Sequence, residues 1–171
     1  EFDLGGHVLK ANKNFLQTMG YQNDEIVGKH HRMFCEPAVS NAPGYQQFWR
    51  DLNDGKSHRD VFKRVTKTGQ QVSLQAAYAP VTDEMGRVVK IVKIATDVTA
   101  EVNANTMLRN AVEQAQAVTS AAMKGDLSQR IPLEGKSGPI ESLCAGVNSL
   151  METTSVIFSD VVRVFGALAA G

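Results

Sequence analysis

His30 and His31, with Cys35 at i+4 from the second of them, form the densest group of chemistry-bearing side chains in this chain. Adjacent histidines point in different directions in regular structure and do not share one metal ion. The His31-x-x-x-Cys35 spacing puts two ligands on one helical face, yet no second pair completes a tetrahedral zinc site. Two uses remain: an axial ligand to a haem iron, or an imidazole that packs and hydrogen-bonds among short helices. Elsewhere the chemistry thins out. Lys63, Arg64 and Lys67 read as a solvated strand-and-turn face. Met19, Met33 and Met85 read as gap-filling core or turn residues. Asp83, Glu84 and Asp97 lie far apart in sequence and pair with no nucleophile. There is no phosphate-cradling loop, no Ser-His-Asp pattern and no zinc-protease word. The expectation is a binding or relay protein, not an enzyme.

The elements that must position these residues divide the chain in two. Across 171 residues, 18 basic side chains balance 18 acidic ones, so no basic excess exists to hold a nucleic-acid backbone or an anionic membrane surface. Two cysteines make no disulfide framework and fit a reducing, cytoplasmic setting. No apolar stretch approaches the ~18 residues of a membrane helix. The balance is a sum of unequal parts: 13 basic and 11 acidic side chains in residues 1–99, against 5 and 7 in residues 100–171. All four histidines and nine of the 11 aromatics fall in the first part.

Residues 1–99 predict a mixed fold. Phe2 to Ala11 reads as a hairpin turning at Gly5-Gly6. Asn12 to Met19 reads as a helix stopped by Gly20, and Tyr45 to Asn53 as another. Asn23-Asp24 caps a single turn. Strand patterns follow at Asp60–Thr66, from Val72 past Tyr78 and at Arg87–Ala95, with Val72, Leu74, Ala76 and Tyr78 alternating against Ser73, Gln75, Ala77 and Ala79. The expected fold class is α+β, a five-stranded antiparallel sheet with short helices.

That order, with Ala11-Asn12-Lys13-Asn14-Phe15-Leu16, Gly20-Tyr21, Gly28-Lys29-His30-His31-Arg32-Met33-Phe34, Phe48-Trp49, Lys67-Thr68-Gly69 and Asp97-Val98-Thr99, resembles the PAS domains of bacterial methyl-accepting chemotaxis proteins, including the aerotaxis branch. The resemblance implies a sensory cavity. It implies haem b as the leading cofactor, with His31 or His30 as ligand to the haem iron, and flavin as the other candidate. Flavin-binding aerotaxis receptors share Gly20-Tyr21, His31, Met33, Pro37 and Trp49, but tend to have Arg, Trp and Asn where Cys35, Ser73 and Ala77 stand. The candidate cofactor-binding set is therefore His31, His30, Phe34, Cys35, Trp49, Ser73, Gln75 and Ala77. Ser73, Gln75 and Ala77 line a widened pocket only if their strand face points inward. A PAS domain that holds no cofactor and acts as a dimerisation platform is the competing reading.

Residues 100–171 read as a helical relay. Ala104, Leu108, Ala111, Ala115, Val118 and Ala122 step by four and three. Gly125-Asp126-Leu127 then breaks the helix, and Pro132, Gly135, Gly138 and Pro139 keep the connector extended or turned. A second helix carries Ile140, Leu143, Val147, Leu150, Thr154, Ile157, Val161, Val164 and Leu168 at the 3.5-residue period of a coiled coil. With Val147-Asn148-Ser149-Leu150, this plan resembles a HAMP domain over residues 100–155, an all-α parallel coiled-coil bundle and hence a homodimer. Residues 156–171 read as a helix running into a further HAMP unit, because Ala167-Leu168-Ala169-Ala170-Gly171 echoes Ala121-Ala122-Met123-Lys124-Gly125. The chain is thus expected to be a fragment, cut before an output domain. The expected relay residues are Asp97, Thr99, Gly125 and Asn148. The resemblance implies a chemotaxis histidine kinase and its coupling protein as downstream partners, with a histidine kinase or cyclase output as the alternative.

Overall fold

Asn12 opens the first helix by accepting a hydrogen bond from the Phe15 backbone N–H at 2.9 Å, and Gly20, at φ 74°, closes it. Only glycine enters that left-handed region without a steric penalty. The structure, a computed structural model, describes residues 1–170 and contains ten such elements in the order α1 (Lys13–Met19), α2 (Asn23–Ile26), a 3-10 turn (His31–Phe34), α3 (Pro37–Ser40), α4 (Pro43–Asn53), β1 (His58–Val65), β2 (Gln71–Thr82), β3 (Val88–Asp97), α5 (Thr99–Met123) and α6 (Gly138–Ala170). Gly171, the last residue of the C-terminal echo, lies outside the described residues. The chain divides after Ala100 into two compact units.

The first unit is built on one antiparallel sheet in the order β1-β2-β3. His58 pairs with Tyr78 and Val65 with Gln71, while Leu74 pairs with Asp97 and Tyr78 with Lys93. Three strands stand where five were expected. The two N-terminal ones shrink to single bridges, Phe2 with Val8 and Phe2 with Ile91. The reason lies in the backbone of Val8, whose N–H goes to the Lys29 carbonyl and whose carbonyl accepts from Gly28, so the ladder begun at Phe2 cannot continue. Short helices cover one face of the sheet. Pro43 sits in the first turn of α4, where its missing N–H costs nothing, and the helix lays Trp49 and Leu52 onto the sheet. With Phe2, Val8, Met19, Ile26, Phe34, Leu74, Tyr78 and Ile91 they form one apolar core. Each such side chain contributes about 1.5–3 kcal/mol on burial.

The second unit is two helices and a connector. Gly125, at φ 90°, ends α5 by donating its N–H to the Ala122 carbonyl. Asn148 of α6 then clamps the connector: its side-chain oxygen accepts from the Ile131 N–H at 2.7 Å and its amide donates to the Ile131 carbonyl at 2.9 Å. Ala111, Val118, Ile131, Cys144 and Met151 make the core, with Ile140 and Val147 packed against it. The expected seam of α6 is therefore split. Ile140 and Val147 turn inward beside Cys144 and Met151, whereas Leu143, Leu150, Ile157, Val164 and Leu168 remain exposed. Among the described residues no helix is long and apolar enough to cross a membrane, and both cysteines are free.

Candidate functional site

His31 begins the 3-10 turn, and its backbone N–H is fastened to the Gly6 carbonyl at 2.8 Å. Gly6 must be glycine for two reasons: its φ is 82°, and a Cβ there would lie 2.9 Å from the Trp49 ring. This close approach drives the imidazole of His31 into the core, where it is completely buried. Trp49 and Phe2 meet it edge-on, with centroids 5.5 and 5.4 Å away, and the Tyr45 ring stacks at 5.9 Å.

Both ring nitrogens are occupied. Nδ1 lies 2.9 Å from the Tyr45 hydroxyl and Nε2 lies 3.0 Å from the Tyr78 hydroxyl. Arg64 donates its Nη2 to the same Tyr78 oxygen at 3.2 Å. That donation fills one lone pair of a fully buried phenol, so the Tyr78 hydroxyl hydrogen goes to Nε2 of His31. Hydrogen-bond satisfaction then assigns the imidazole proton to Nδ1, which donates to Tyr45. Burial, with Arg64 and Lys93 nearby, holds His31 well below the ordinary imidazole value, so the ring is neutral. Burial likewise pushes Tyr45 and Tyr78 up to about 12. The Cys35 thiol is raised for the same reason and sits 3.8 Å from Nδ1.

The fold gathers part of the expected set and disperses the rest. His31, Phe34, Cys35 and Trp49 come together in the core. His30 is half-buried at its margin, accepting from the Arg32 N–H and facing His7 edge-on at 5.2 Å. Ser73, Gln75 and Ala77 are not in the site. They alternate with Val72, Leu74, Ala76 and Tyr78, which own the core face, so the pocket-lining role expected of them is corrected. Ser73 is nonetheless buried, because its N–H binds the Thr99 hydroxyl and its carbonyl accepts from Val98. Asp97 completes that junction by accepting from the N–H of Thr99 at 2.9 Å and from its hydroxyl.

Haem does not fit here. An axial histidine needs a free imidazole nitrogen and open space on its ring edge. Both nitrogens of His31 are consumed, and aromatic rings close around it. Nδ1 of His30 accepts from the Arg32 backbone, which leaves the ring proton on Nε2, and that Nε2 edge lies against Gly6 with the Trp49 ring 6.1 Å from its own. The expectation of haem b is corrected on that ground. Cys35, buried with a raised thiol, likewise offers no charge to a flavin phosphate.

Four participants escaped the sequence reading: Tyr45, Tyr78, Arg64 and Lys93. Arg64, expected on a solvated face, is only 4% exposed. The signal was phase. Arg64 keeps step with Phe62 and Lys93 with Ile91, so both cations fall on the apolar face of their strands.

Residues 8–95 match the family described as PAS fold. The biofilm dispersion protein BdlA of Pseudomonas aeruginosa is 50% identical over 98 residues, 57% of this chain and 24% of that protein. The aerotaxis receptor of Escherichia coli is 28% identical over 99 residues, 58% of this chain and 19% of that protein. The chain thus spans about a quarter or less of the length of these relatives. Among solved structures, a PAS domain from Colwellia psychrerythraea superposes with a TM-score of 0.50 at 19% identity, covering 57% of this chain and 82% of its own.

Two outcomes follow from the buried network. Tyr78→Phe strips a partner from both His31 and Arg64 and is expected to cost about 2–4 kcal/mol in chemical denaturation, since each orphaned buried group costs about 1–3 kcal/mol. The imidazole of the unfolded chain takes up a proton near pH ~6.5, whereas the buried ring of His31 resists it. Its contribution to stability is therefore complete above about pH 6.5 and declines as the pH falls, by at most ~1.4 kcal/mol per pH unit. The denaturation midpoint should drop between about pH 6.5 and 5, and His31→Gln should remove that slope.

Proposed function

This chain belongs to the PAS fold family, and on that footing we propose that its first hundred residues sense a chemical state and pass it to a dimeric helical relay. The observation that carries this reading is the junction at the end of β3. Lys93 and Asp97 lie on one strand, and Asp97 holds Thr99, the first residue of α5, while the Thr99 hydroxyl accepts from Ser73 of β2. A change in packing on the core face of β2 or β3 therefore reaches the start of α5 through three hydrogen bonds and no flexible linker.

The second unit supplies the receiver. Helix, connector and helix follow the plan of a HAMP domain, and the exposed row Leu143, Leu150, Ile157 and Val164 repeats every seven residues. A sevenfold apolar repeat is satisfied by a second copy of itself, because the 3.5 period keeps one stripe facing a partner. Ala111, Ala115, Cys144 and Val147 border an apolar cleft of about 570 Å³ that the same partner would cover. Small alanine contacts allow two packings of close energy, and a ligand that favours one by a few kcal/mol shifts the population. The aerotaxis receptor among the relatives supports a signalling output, and the downstream event in this reading is control of a histidine kinase through a coupling protein.

Perturbing the interior should be felt in the helix. In the full chain, Tyr78→Phe is expected to speed amide exchange over residues 100–105 at least ~threefold relative to the rest of α5. Unchanged exchange at that end, with altered exchange in the core, overturns the coupling. Light scattering is expected to show a dimer that Leu150→Asp converts to a monomer; a dimer that survives the substitution counts against the drawn seam.

A further inference from the structure

The core face of the sheet carries two cations and no anion. Arg64 donates Nη1 to its neighbour's carbonyl at 2.7 Å and Nη2 to Tyr78, while its Nε is buried without a partner. Lys93 stands opposite Tyr78 in register, and its Nζ lies 5.2 Å from the ring centroids of both Tyr78 and Phe15. Neither cation makes an ion pair among the described residues, although other lysines of the same unit do: Lys56 with Asp51, Lys67 with Glu25 and Lys90 with Glu1.

The neighbours of Lys93 supply no negative charge. Arg64 faces it from β1, Tyr78 from β2, His31 and Cys35 from the 3-10 turn and the residue after it, and the N-terminal ammonium of Glu1 adds a further positive charge nearby. Burial keeps the phenol, imidazole and thiol in their neutral forms. An ammonium held over two aromatic faces gains cation–π attraction but stays electrically uncompensated.

Lys93 also opens onto a cavity of about 340 Å³, walled on its apolar side by Phe2, Phe15, Leu74 and Ala95. Charged residues on the same wall are Glu1, Lys10 and Asp97, and both carboxylates are already engaged, Glu1 by Lys90 and Asp97 by Thr99. A chamber with an apolar wall, lined by the ammonium groups of Lys93 and Lys10, neither of which has an ion-pair partner among the described residues, is complementary to an apolar body bearing a negative charge. An inorganic anion would leave the apolar wall unfilled.

We propose that this cavity binds a small organic monocarboxylate, with its carboxylate on Nζ of Lys93 and its apolar body against Phe15 and Leu74. This names the ligand class of the sensor described above and rests on that reading for its signalling consequence. Burial lowers the ammonium of Lys93 to about 7, so near neutrality part of the population carries no proton there. A bound carboxylate favours the ammonium. Binding therefore takes up a proton near neutral pH and weakens as the pH rises.

The test is calorimetric titration of the full chain with benzoate and hexanoate against benzyl alcohol and 1-hexanol. The carboxylates are expected to bind at least ~tenfold more tightly than the alcohols. Buffers of different ionisation heat should reveal proton uptake near pH ~7 that vanishes near pH ~5.5, where the amine is already protonated. Lys93→Met should cost the carboxylates at least ~tenfold while leaving the alcohols unchanged, and Lys93→Arg should restore most of the difference. Circular dichroism of both variants shows whether the fold is kept. Carboxylates that bind no better than alcohols, that bind Lys93→Met equally, or that give no heat at ~10 mM overturn the proposal. Carboxylate binding with proton uptake but no change of exchange in α5 keeps the site and sinks the sensor reading. A response of α5 to Tyr78→Phe without carboxylate binding does the reverse.

Discussion

A neutral imidazole shut inside an aromatic box is the constraint on which the first unit depends. His31 has no exposure to solvent, and each of its nitrogens is matched to a phenol from a different element, Tyr45 of α4 and Tyr78 of β2. Arg64 of β1 closes the chain through the Tyr78 oxygen. One side chain thereby ties a 3-10 turn, a helix and two strands. A buried polar network of this kind stabilises only when every member is paired, because the low dielectric that strengthens each bond also raises the cost of an orphan. The geometry leaves no latitude: Gly6 must lack a side chain so that the Trp49 ring can seal the box.

The same interior is electrically lopsided. Arg64 and Lys93 project from the sheet into a core that offers aromatic faces and neutral hydrogen-bond partners but no carboxylate. Burying uncompensated charge is unfavourable, and natural cores avoid it unless something else is gained. Here the unfavourable feature lies four residues from Asp97 along β3, on the strand that leads directly into α5.

Local structure was largely readable along the chain, and two of its failures share one cause. Breaks at Gly20 and Gly125 were legible because positive φ is a property of single residues and their immediate neighbours. The relay positions Asp97, Thr99 and Asn148 also make the contacts that mark element boundaries. Ser73, Gln75 and Ala77 were misplaced because alternation separates a strand's two faces without saying which one is inside. Arg64 was misread for the complementary reason: a charged residue next to Lys63 looks solvated until register places it beside Phe62 and opposite Val72. The heptad of α6 gave one stripe, and packing divided it between an inner row at Ile140 and Val147 and an exposed row at Leu143 and Leu150.

His30-His31-x-x-x-Cys35 shows where each kind of information stops. Residue types by themselves left His31 two uses, an axial ligand or a packed imidazole, supplied no second ligand pair for zinc, and gave the helical segment a sevenfold stripe. Those are consequences of identity and spacing, which survive any fold. What the imidazole could bind was settled only by tertiary structure. Tyr45 and Tyr78 are 14 and 47 positions away from His31, and they alone occupy its nitrogens and exclude an iron. Cross-strand register similarly set Lys93 beside Tyr78 and left it without a counter-charge. Hydrogen bonding and charge compensation depend on what stands within a few ångströms in space, and distance along the chain carries no record of that.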